Sequence, residues 1–303
     1  MVKFGFSSGS QRWLCQPCKC TRTESKPTGD LRLPKDKIIQ IVHMLVEGVG
    51  IRAIERLANV HRDTVLSVLD FAGTKAFSLF NSNLINLTVN AVQIDELYAF
   101  VLKKERNCLP WEYDYGDQYT YLAIEPFSKL LLAYHTGRRD EENACYFIQD
   151  LSLRLDKGQT FDITSDGFLG YTTVITTEFD NCAAYAQLVK NFHLLRLAKL
   201  NGVESTVPCI ERNIIFGNRQ NHSISTSYIE RLNLTVRTHN KRFARRSICY
   251  SKKLENLRHS VALFAAHYNF CRVHSTIKTT PAVKHGITDH VWSLEELLGL
   301  NKI

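Results

Sequence analysis

The chain has 303 residues, of which 44% are hydrophobic, so it can bury a substantial core and is not disordered as a whole. No apolar run reaches the roughly 18 residues of a membrane-spanning helix, so we expect no membrane partner. The formal charge of +8 favours a polyanionic partner. Nine irregularly spaced cysteines do not resemble the disulfide framework of a small secreted domain, which indicates a reducing, cytoplasmic location.

The opening segment, residues 1–33, contains one Cys-x-x-Cys knuckle, Cys15 and Cys18, with Cys20 beside it. A zinc ribbon uses this half-site twice, and the next cysteine lies far along the chain, so a closed four-thiolate site cannot form within the segment. Two interpretations remain open: a frayed basic terminus, or a protein whose natural start lies upstream and carries the second knuckle. A structural zinc ion is therefore doubtful. Residues 21–30 are polar and predict a linker.

Residues 34–82 have helical periodicity and predict a small all-α domain. Three short helices, the last two joined by a tight turn at residues 58–60, indicate a helix-turn-helix. In that motif the third helix enters the major groove of DNA. The outward residues near its start are His61, Arg62, Thr64 and Ser67, of which the last three are our candidate DNA contacts. The alternative is a small helical bundle that only packs on the main domain.

From residue 88 the pattern changes to that of an α/β domain extending to residue 303. The predicted order is three strands (88–102, 119–124 and 130–136), a helix from Asp140, a short strand ending at Asp166-Gly167, a helix to Ile175, a strand at 186–189 and long helices. Residues 193–221 give no clear pattern and are predicted to be an insertion or long loop. This element order is that of a ribonuclease-H-like catalytic domain, in which helices flank a mixed sheet.

Three carboxylates occupy the places where such a domain gathers its acids. Asp95 lies on the first strand, Asp166 just past the fourth, and Glu230 on a late helix. Acids from separate elements can hold two divalent cations about 4 Å apart for in-line displacement at a phosphodiester. Carboxylate oxygens suit Mg²⁺ or Mn²⁺ rather than zinc. We therefore predict that these residues are both catalytic and metal-binding.

Each acid also has a simpler interpretation. Asp95 could be an edge or bulge residue, Asp166 a turn former before glycine, and Glu230 an ion-pair partner of Arg231 or Arg237. Their joint fit to one fold favours the catalytic interpretation.

Cations cluster just after the Glu230 helix. They are Lys241, Arg242, Arg245, Arg246, Lys252 and Lys253, which predict a surface that contacts phosphates, with a solvated basic face as the alternative. Tyr98, Trp111 and Tyr113 could stack on a displaced base, although aromatic residues are more often part of a core.

Several motifs together resemble the bacterial insertion-sequence-one family of transposases. They are Gln93-Ile94-Asp95-Glu96-Leu97-Tyr98-Ala99-Phe100-Val101, Thr164-Ser165-Asp166-Gly167, Ile224 to Arg237, Tyr268-Asn269-Phe270-Cys271-Arg272-Val273-His274, Thr280-Pro281-Ala282 and Asp289 to Leu297. The resemblance extends over nearly the whole chain. One departure is at the start, where family members often have a complete zinc ribbon.

The resemblance implies a DDE transposase that cuts and joins DNA at the terminal inverted repeats of its own element, with Asp95, Asp166 and Glu230 holding two Mg²⁺ or Mn²⁺ ions. It also implies that Arg237, on the same helix face as Glu230, grips a phosphate beside the scissile bond. The partners would be double-stranded DNA, as repeats and as target, and further copies of the chain, at the nucleoid in the cytoplasm.

Two other functions remain open. One is a catalytically silent DNA-binding regulator derived from a transposase. The other is a ribonuclease-H-like nuclease that does not transpose.

Overall fold

The computed structural model describes residues 1–7, 10–23, 28–29, 31–156, 158–180, 182–191, 209–218 and 224–301. The N-terminal part is a three-stranded antiparallel sheet of β1 (Val2–Ser7), β2 (Ser10–Leu14) and β3 (Thr21–Thr23). Residues 21–23, predicted as linker, are therefore a strand. The knuckle explains the difference, because Lys19 N donates to Cys15 O (2.8 Å) and Cys15 N to Cys20 O (2.9 Å), which turns the chain back along β2.

Three helices follow, as predicted: α1 (Lys35–Val46), α2 (Ile51–Ala58) and α3 (Arg62–Asn83). Asn59 ends α2 in the left-handed conformation (φ 50°), which produces the tight turn into α3. The α3 helix is longer than the short helix expected, because its apolar positions continue to Phe80 and pack against later parts of the chain.

The larger sheet is mixed, and its strands are β4 (Ala91–Val101), β5 (Gly116–Ile124), β6 (Leu131–Gly137), β7 (Phe161–Ser165), β8 (Ala183–Asn191) and β9 (Cys209–Phe216). Their spatial order is β6-β5-β4-β7-β8-β9. The β4, β5 and β6 strands form the predicted antiparallel meander, β7 and β8 run parallel to β4, and β9 returns antiparallel along β8. This arrangement confirms an α/β fold with a mixed sheet.

Helices flank this sheet: α4 (Glu141–Arg154), α5 (Gly170–Phe179), α6 (Ser227–His239), α7 (Leu254–Ala266), α8 (Pro281–His285) and α9 (Leu294–Leu297). The α4 helix begins at Asp140, whose side chain accepts from Asn143 N. Ser293 caps the start of α9, where its Oγ accepts from Glu296 N at 3.1 Å. Among the residues described, none of the helices combines the length and apolar character needed to cross a membrane.

The helices α1 to α3 share their core with the C-terminal part of the chain. Val65, Leu69 and Ala72 belong to the same buried cluster as Leu263 of α7 and Leu297 of α9. The α3 helix packs along α7. Residues 34–82 are thus joined to the main body by an apolar seam, which agrees with the bundle alternative, and their role in DNA binding stays a prediction.

One stretch of the predicted long loop differs from the sequence prediction. Residues 209–216, predicted within a long loop, form β9; its apolar and polar residues do not alternate regularly, so only pairing with β8 reveals the strand. Residues 193–208 and 219–221 of the predicted insertion lie outside the described residues. The α6 helix ends at His239, and Lys241 lies in the 3₁₀ turn that follows it (Lys241–Phe243).

Candidate active site

Two neighbouring strands of the sheet separate at the point where the acids lie. The β4 strand pairs with β7 only from Ala91 to Gln93, and β7 ends at Ser165. Asp95 and Glu96 therefore lie beside the place where Asp166 leaves the sheet. Asp95, Glu96 and Asp166 each offer one carboxylate oxygen, and these oxygens lie within 4.8 Å of one another.

Glu96 was not among the acids predicted from the sequence to belong to the site. Its side chain is only 3% exposed. The available signal was the pair of adjacent acids inside an apolar strand, where an unpaired charge is costly. Consecutive strand residues normally point to opposite faces, so the sequence alone did not place both carboxylates in one cluster.

The α6 helix is anchored over this cluster by Gln93, which lies on the same face of β4 as Asp95. Gln93 Oε1 accepts from Tyr228 N at 2.9 Å and from Ile229 N at 3.1 Å, which caps the start of α6. One turn after Glu230, Asn233 Nδ2 donates to Asp95 Oδ2 at 2.7 Å. The helix face predicted to carry the third acid is therefore turned toward Asp95.

Glu230 is outside the 4.8 Å group, and its carboxylate is held by protein donors. Thr226 Oγ1 donates to Glu230 Oε1 at 2.5 Å, and Lys190 forms a close ion pair with the same oxygen. Burial raises the pKa of Glu230, but the hydrogen bonds from Lys190 and Thr226 outweigh it and bring the pKa below its ordinary value. Glu230 is thus ionised at neutral pH.

Arg139, at the other side of the cluster, partly neutralises it. Its guanidinium contacts Glu96 Oε2 through Nη2 at 3.1 Å and lies 3.6 Å from Asp166 Oδ2. The same guanidinium stacks over Phe168, with its carbon 4.2 Å from the ring centre. Arg139 therefore offsets part of the negative charge of Glu96 and Asp166.

Burial and mutual repulsion raise the pKa of two of the carboxyl groups. The pKa of Asp95 rises to about 7, chiefly through burial and then through the charge of Asp166. The pKa of Glu96 also rises to about 7, for the same two reasons in the same order. Near neutral pH the cluster therefore holds protons that a cation would displace.

The oxygens of the cluster fit a hard divalent cation. Glu96 Oε1 and Asn233 Oδ1 are buried and make no hydrogen bond within the described residues. The Tyr171 hydroxyl is near enough to lower the pKa of Glu96, but its geometry is not that of a hydrogen bond. The three carboxylates and the amide oxygen of Asn233 form the all-oxygen donor set that Mg²⁺ and Mn²⁺ prefer.

The predicted phosphate contacts lie at the far end of α6 and beyond it. Arg237 is half-buried, and burial followed by the charge of Arg245 lowers its pKa, whereas the charge of Asp95 raises it. Lys241, Arg245 and Arg246 are exposed. Arg242 differs because it is half-buried and donates from Nε to Ser251 Oγ at 2.8 Å, so its guanidinium is partly committed to the protein.

The candidate DNA contacts on α3 have mixed surroundings. Arg62 and Ser67 are exposed, and Thr64 is half-buried. Thr64 and Ser67 line a cleft together with Leu31, Leu33, Asp63, Asp70 and Phe71. Arg32 and Lys75 line the same cleft, so its charges are mixed, and the DNA contacts of α3 stay a prediction.

Two aromatic residues are not in the core. Trp111 is 69% exposed and Tyr113 is 70% exposed, in the segment between β4 and β5. Tyr98 is 40% exposed, and its hydroxyl donates to Asp117 Oδ1 at 3.0 Å. The alternative that these rings are core residues is therefore wrong for Trp111 and Tyr113.

The three cysteines of the knuckle are close in sequence but do not form one of the compact ligand groups found among the described residues. The backbone of Cys20 and the thiol of Cys15 lower the pKa of Cys18. The Cys18 thiol thus ionises more readily than an ordinary cysteine.

The fold and the cluster together define a mixed α/β domain with a carboxylate site at the open end of its central strands. A sequence model of a protein family, described as IS1 transposase, matches residues 206–270. The matched segment includes Glu230, Asn233, Arg237 and the basic residues that follow α6. Similarity to this family is thus found for the part of the chain that packs over the cluster. No curated protein sequence matches the chain.

Two solved structures show weak overall similarity. One is the Mos1 strand transfer complex, with 11% sequence identity over 78% of each chain and a TM-score of 0.23. The other is the Mos1 transposase paired-end complex with left transposon end, with 9% identity over 80% of each chain and a TM-score of 0.20. Superpositions with TM-scores this low do not establish a shared fold.

Proposed function

We propose that this protein is a DDE transposase that cleaves DNA strands at the terminal inverted repeats of an insertion sequence and transfers them to target DNA. The observation that carries the proposal is the convergence of Asp95 and Asp166 beneath α6, the helix that bears Glu230 and lies in the segment similar to IS1 transposases. An acidic cluster alone has many uses. A cluster covered by a transposase-like segment points to phosphodiester chemistry.

The residues that would hold Mg²⁺ or Mn²⁺ are Asp95, Asp166 and Glu230, with Glu96 as a further candidate. Bound divalent ions supply an activated attacking oxygen and charge stabilisation of the leaving oxygen. Lys190 and Thr226 both contact Oε1 of Glu230, so an ion at this carboxylate would compete with Lys190 for its charge. Asn233 would keep Asp95 in place through its hydrogen bond.

The basic residues around α6 would bind the DNA backbone. Arg237 lies near enough to Asp95 for their charges to interact, which suits a contact to the phosphate next to the scissile one. The exposed Lys241, Arg245 and Arg246 would extend that contact along the duplex, with Arg242 in a supporting position.

We propose a separate role for each of the predicted domains. Residues 1–33 are a partial zinc-ribbon-like segment, 34–82 a helix-turn-helix that binds the repeats, and 88–303 the ribonuclease-H-like catalytic domain. Two ends must be joined, so we also propose a homo-oligomer assembled on DNA, acting at the nucleoid in the cytoplasm.

A catalytically silent DNA-binding regulator is the competing proposal. It is favoured by one observation: protein cations already occupy the acids, Arg139 at Glu96 and Asp166, and Lys190 at Glu230. A regulator would keep these ion pairs, whereas an enzyme must give them up to a metal ion.

The test uses labelled duplexes that carry the DNA flanking the coding region, incubated with the full chain in Mg²⁺ or Mn²⁺. We expect strand cleavage and joining of the 3′ end by the natural protein. Glu230→Gln should lose cleavage completely while its affinity for the duplex, measured by gel shift, changes less than about twofold. Glu211→Gln, an exposed position on β9, is the matched control and should cleave normally.

Other outcomes assign the chain differently. Binding without any nicking in either metal supports the regulator, and nicking of branched or hybrid substrates without joining supports a non-transposing nuclease. Full cleavage by Glu230→Gln would falsify the assignment of Glu230.

A further inference from the structure

The seam between α3 and α7 contains a second group of possible metal ligands, well separated in sequence from Asp95 and Asp166. The two helices approach closely because α3 has glycine at position 73. A Cβ there would lie 2.5 Å from His259 Cβ and 2.8 Å from the His259 carbonyl oxygen. The close approach brings His259 of α7 against the outer edge of α3.

Three side chains from two helices converge at this edge. Asp70 comes from α3, and Glu255 and His259 come from consecutive turns of α7. Each offers one ligand atom, and these atoms lie within 4.8 Å of one another. Residues four apart on a helix project to the same side, so α7 presents Glu255 and His259 as a pair.

The hydrogen bonding of this group is incomplete. His259 Nδ1 lies 3.0 Å from Asp70 Oδ1, yet the buried nitrogen makes no properly oriented hydrogen bond among the described residues. A ring nitrogen that is buried next to a carboxylate without a formed hydrogen bond is suited to a cation between the two. The Asp70 side chain is 61% exposed, so an ion can enter from solvent.

We propose that Asp70, Glu255 and His259 bind a Zn²⁺ ion that joins α3 to α7. One imidazole nitrogen and two carboxylates form a zinc-type ligand set with a fourth position open to water. The oxygen-only cluster at Asp95 prefers Mg²⁺ or Mn²⁺, so the two sites select different metals. The ion would fix helices 34–82 against the sheet-bearing part of the chain.

The experiment is calorimetric titration of ZnCl₂ into the full chain carrying Cys15→Ser and Cys18→Ser, so that the knuckle cannot take zinc. Excess MgCl₂ is present to occupy the oxygen-only cluster. We expect one zinc ion per chain and a zinc-dependent rise in Tm. Both should be lost in His259→Ala and in Glu255→Gln.

His290→Ala is the matched control. His290 also lies between two carboxylates, Asp289 Oδ1 at 2.6 Å and Glu296 Oε1 at 3.0 Å, but they contact opposite ring nitrogens and cannot share one ion with it. Its removal should leave zinc binding unchanged. The proposal is overturned if the chain binds no zinc, or if His259→Ala binds as much as its parent. Should His259→Ala not fold, Glu255→Gln at the exposed start of α7 decides by the same measurement.

Discussion

Replacing Asp95 by asparagine should stabilise the metal-free protein at alkaline pH. The pKa of Asp95 rises from its ordinary value of 3.8 to about 7 in the folded chain. A group whose pKa is raised by folding favours the folded state at low pH, and this contribution is lost as the pH rises through about 7. Above pH 7 the folded protein therefore carries the full cost of an ionised, buried Asp95.

The size of the effect follows from the two pKa values. A difference of about three pKa units corresponds to about 4 kcal/mol of unfolding free energy. Asparagine keeps one acceptor oxygen, but it loses one of the two hydrogen bonds from Glu96 N and Asn233 Nδ2, which costs about 1 kcal/mol. The net gain at pH 8 is then about 3 kcal/mol, and at pH 5 it falls to less than about 1 kcal/mol because Asp95 is protonated in the folded state.

Urea unfolding in EDTA, followed by far-ultraviolet circular dichroism at pH 8 and pH 5, measures both values. Asp114→Asn makes the same chemical change at an exposed position and is the control. A destabilised Asp95→Asn at pH 8, or a gain that does not depend on pH, would refute the idea that Asp95 is a strained, buried acid in the metal-free protein. Added Mg²⁺ should stabilise the natural protein and leave Asp95→Asn nearly unchanged.

Further changes test the supports of the site. Gln93→Ala removes both side-chain acceptor bonds to the first turn of α6, and we expect a loss of about 1–2 kcal/mol in urea unfolding together with a lower cleavage rate. Gly73→Ala places a methyl group against His259 and should lower the unfolding free energy by about 1–3 kcal/mol, although alanine is the better helix former. Lys190→Ala removes the cation that competes for Glu230, so the Mg²⁺ concentration at the midpoint of thermal stabilisation should fall about fivefold, the equivalent of about 1 kcal/mol. An unchanged midpoint would mean that Glu230 does not take part in binding Mg²⁺.

Local patterns determined most of the secondary structure. The strand at residues 88–102, the short strand that ends at Asp166-Gly167 and the late helix that carries Glu230 were each predicted, and the structure contains all three. These features are set by residues only a few positions apart, so periodicity and turn chemistry are sufficient to find them.

Pairing between strands and packing between helices determined the features that local patterns could not predict. The β9 strand lacks a regular alternation of apolar residues, and it exists because β8 offers an edge to pair with. The helices of residues 34–82 were predicted, but their shared core with α7 was not, because apolar positions show that a face is buried without showing what buries it.

The same distinction between local pattern and tertiary contact applies to the candidate site. The sequence by itself identified three candidate acids from their positions in the predicted elements. Asp95 lies on the first strand, Asp166 just past the fourth, and Glu230 on a late helix. Only the tertiary structure showed which residues surround these acids. Glu96 clusters with Asp95 and Asp166, Asn233 donates a hydrogen bond to Asp95, and Lys190 forms an ion pair with Glu230. The physical reason is that burial, repulsion and competition for a cation depend on distances between elements far apart in the chain, which a linear pattern does not contain.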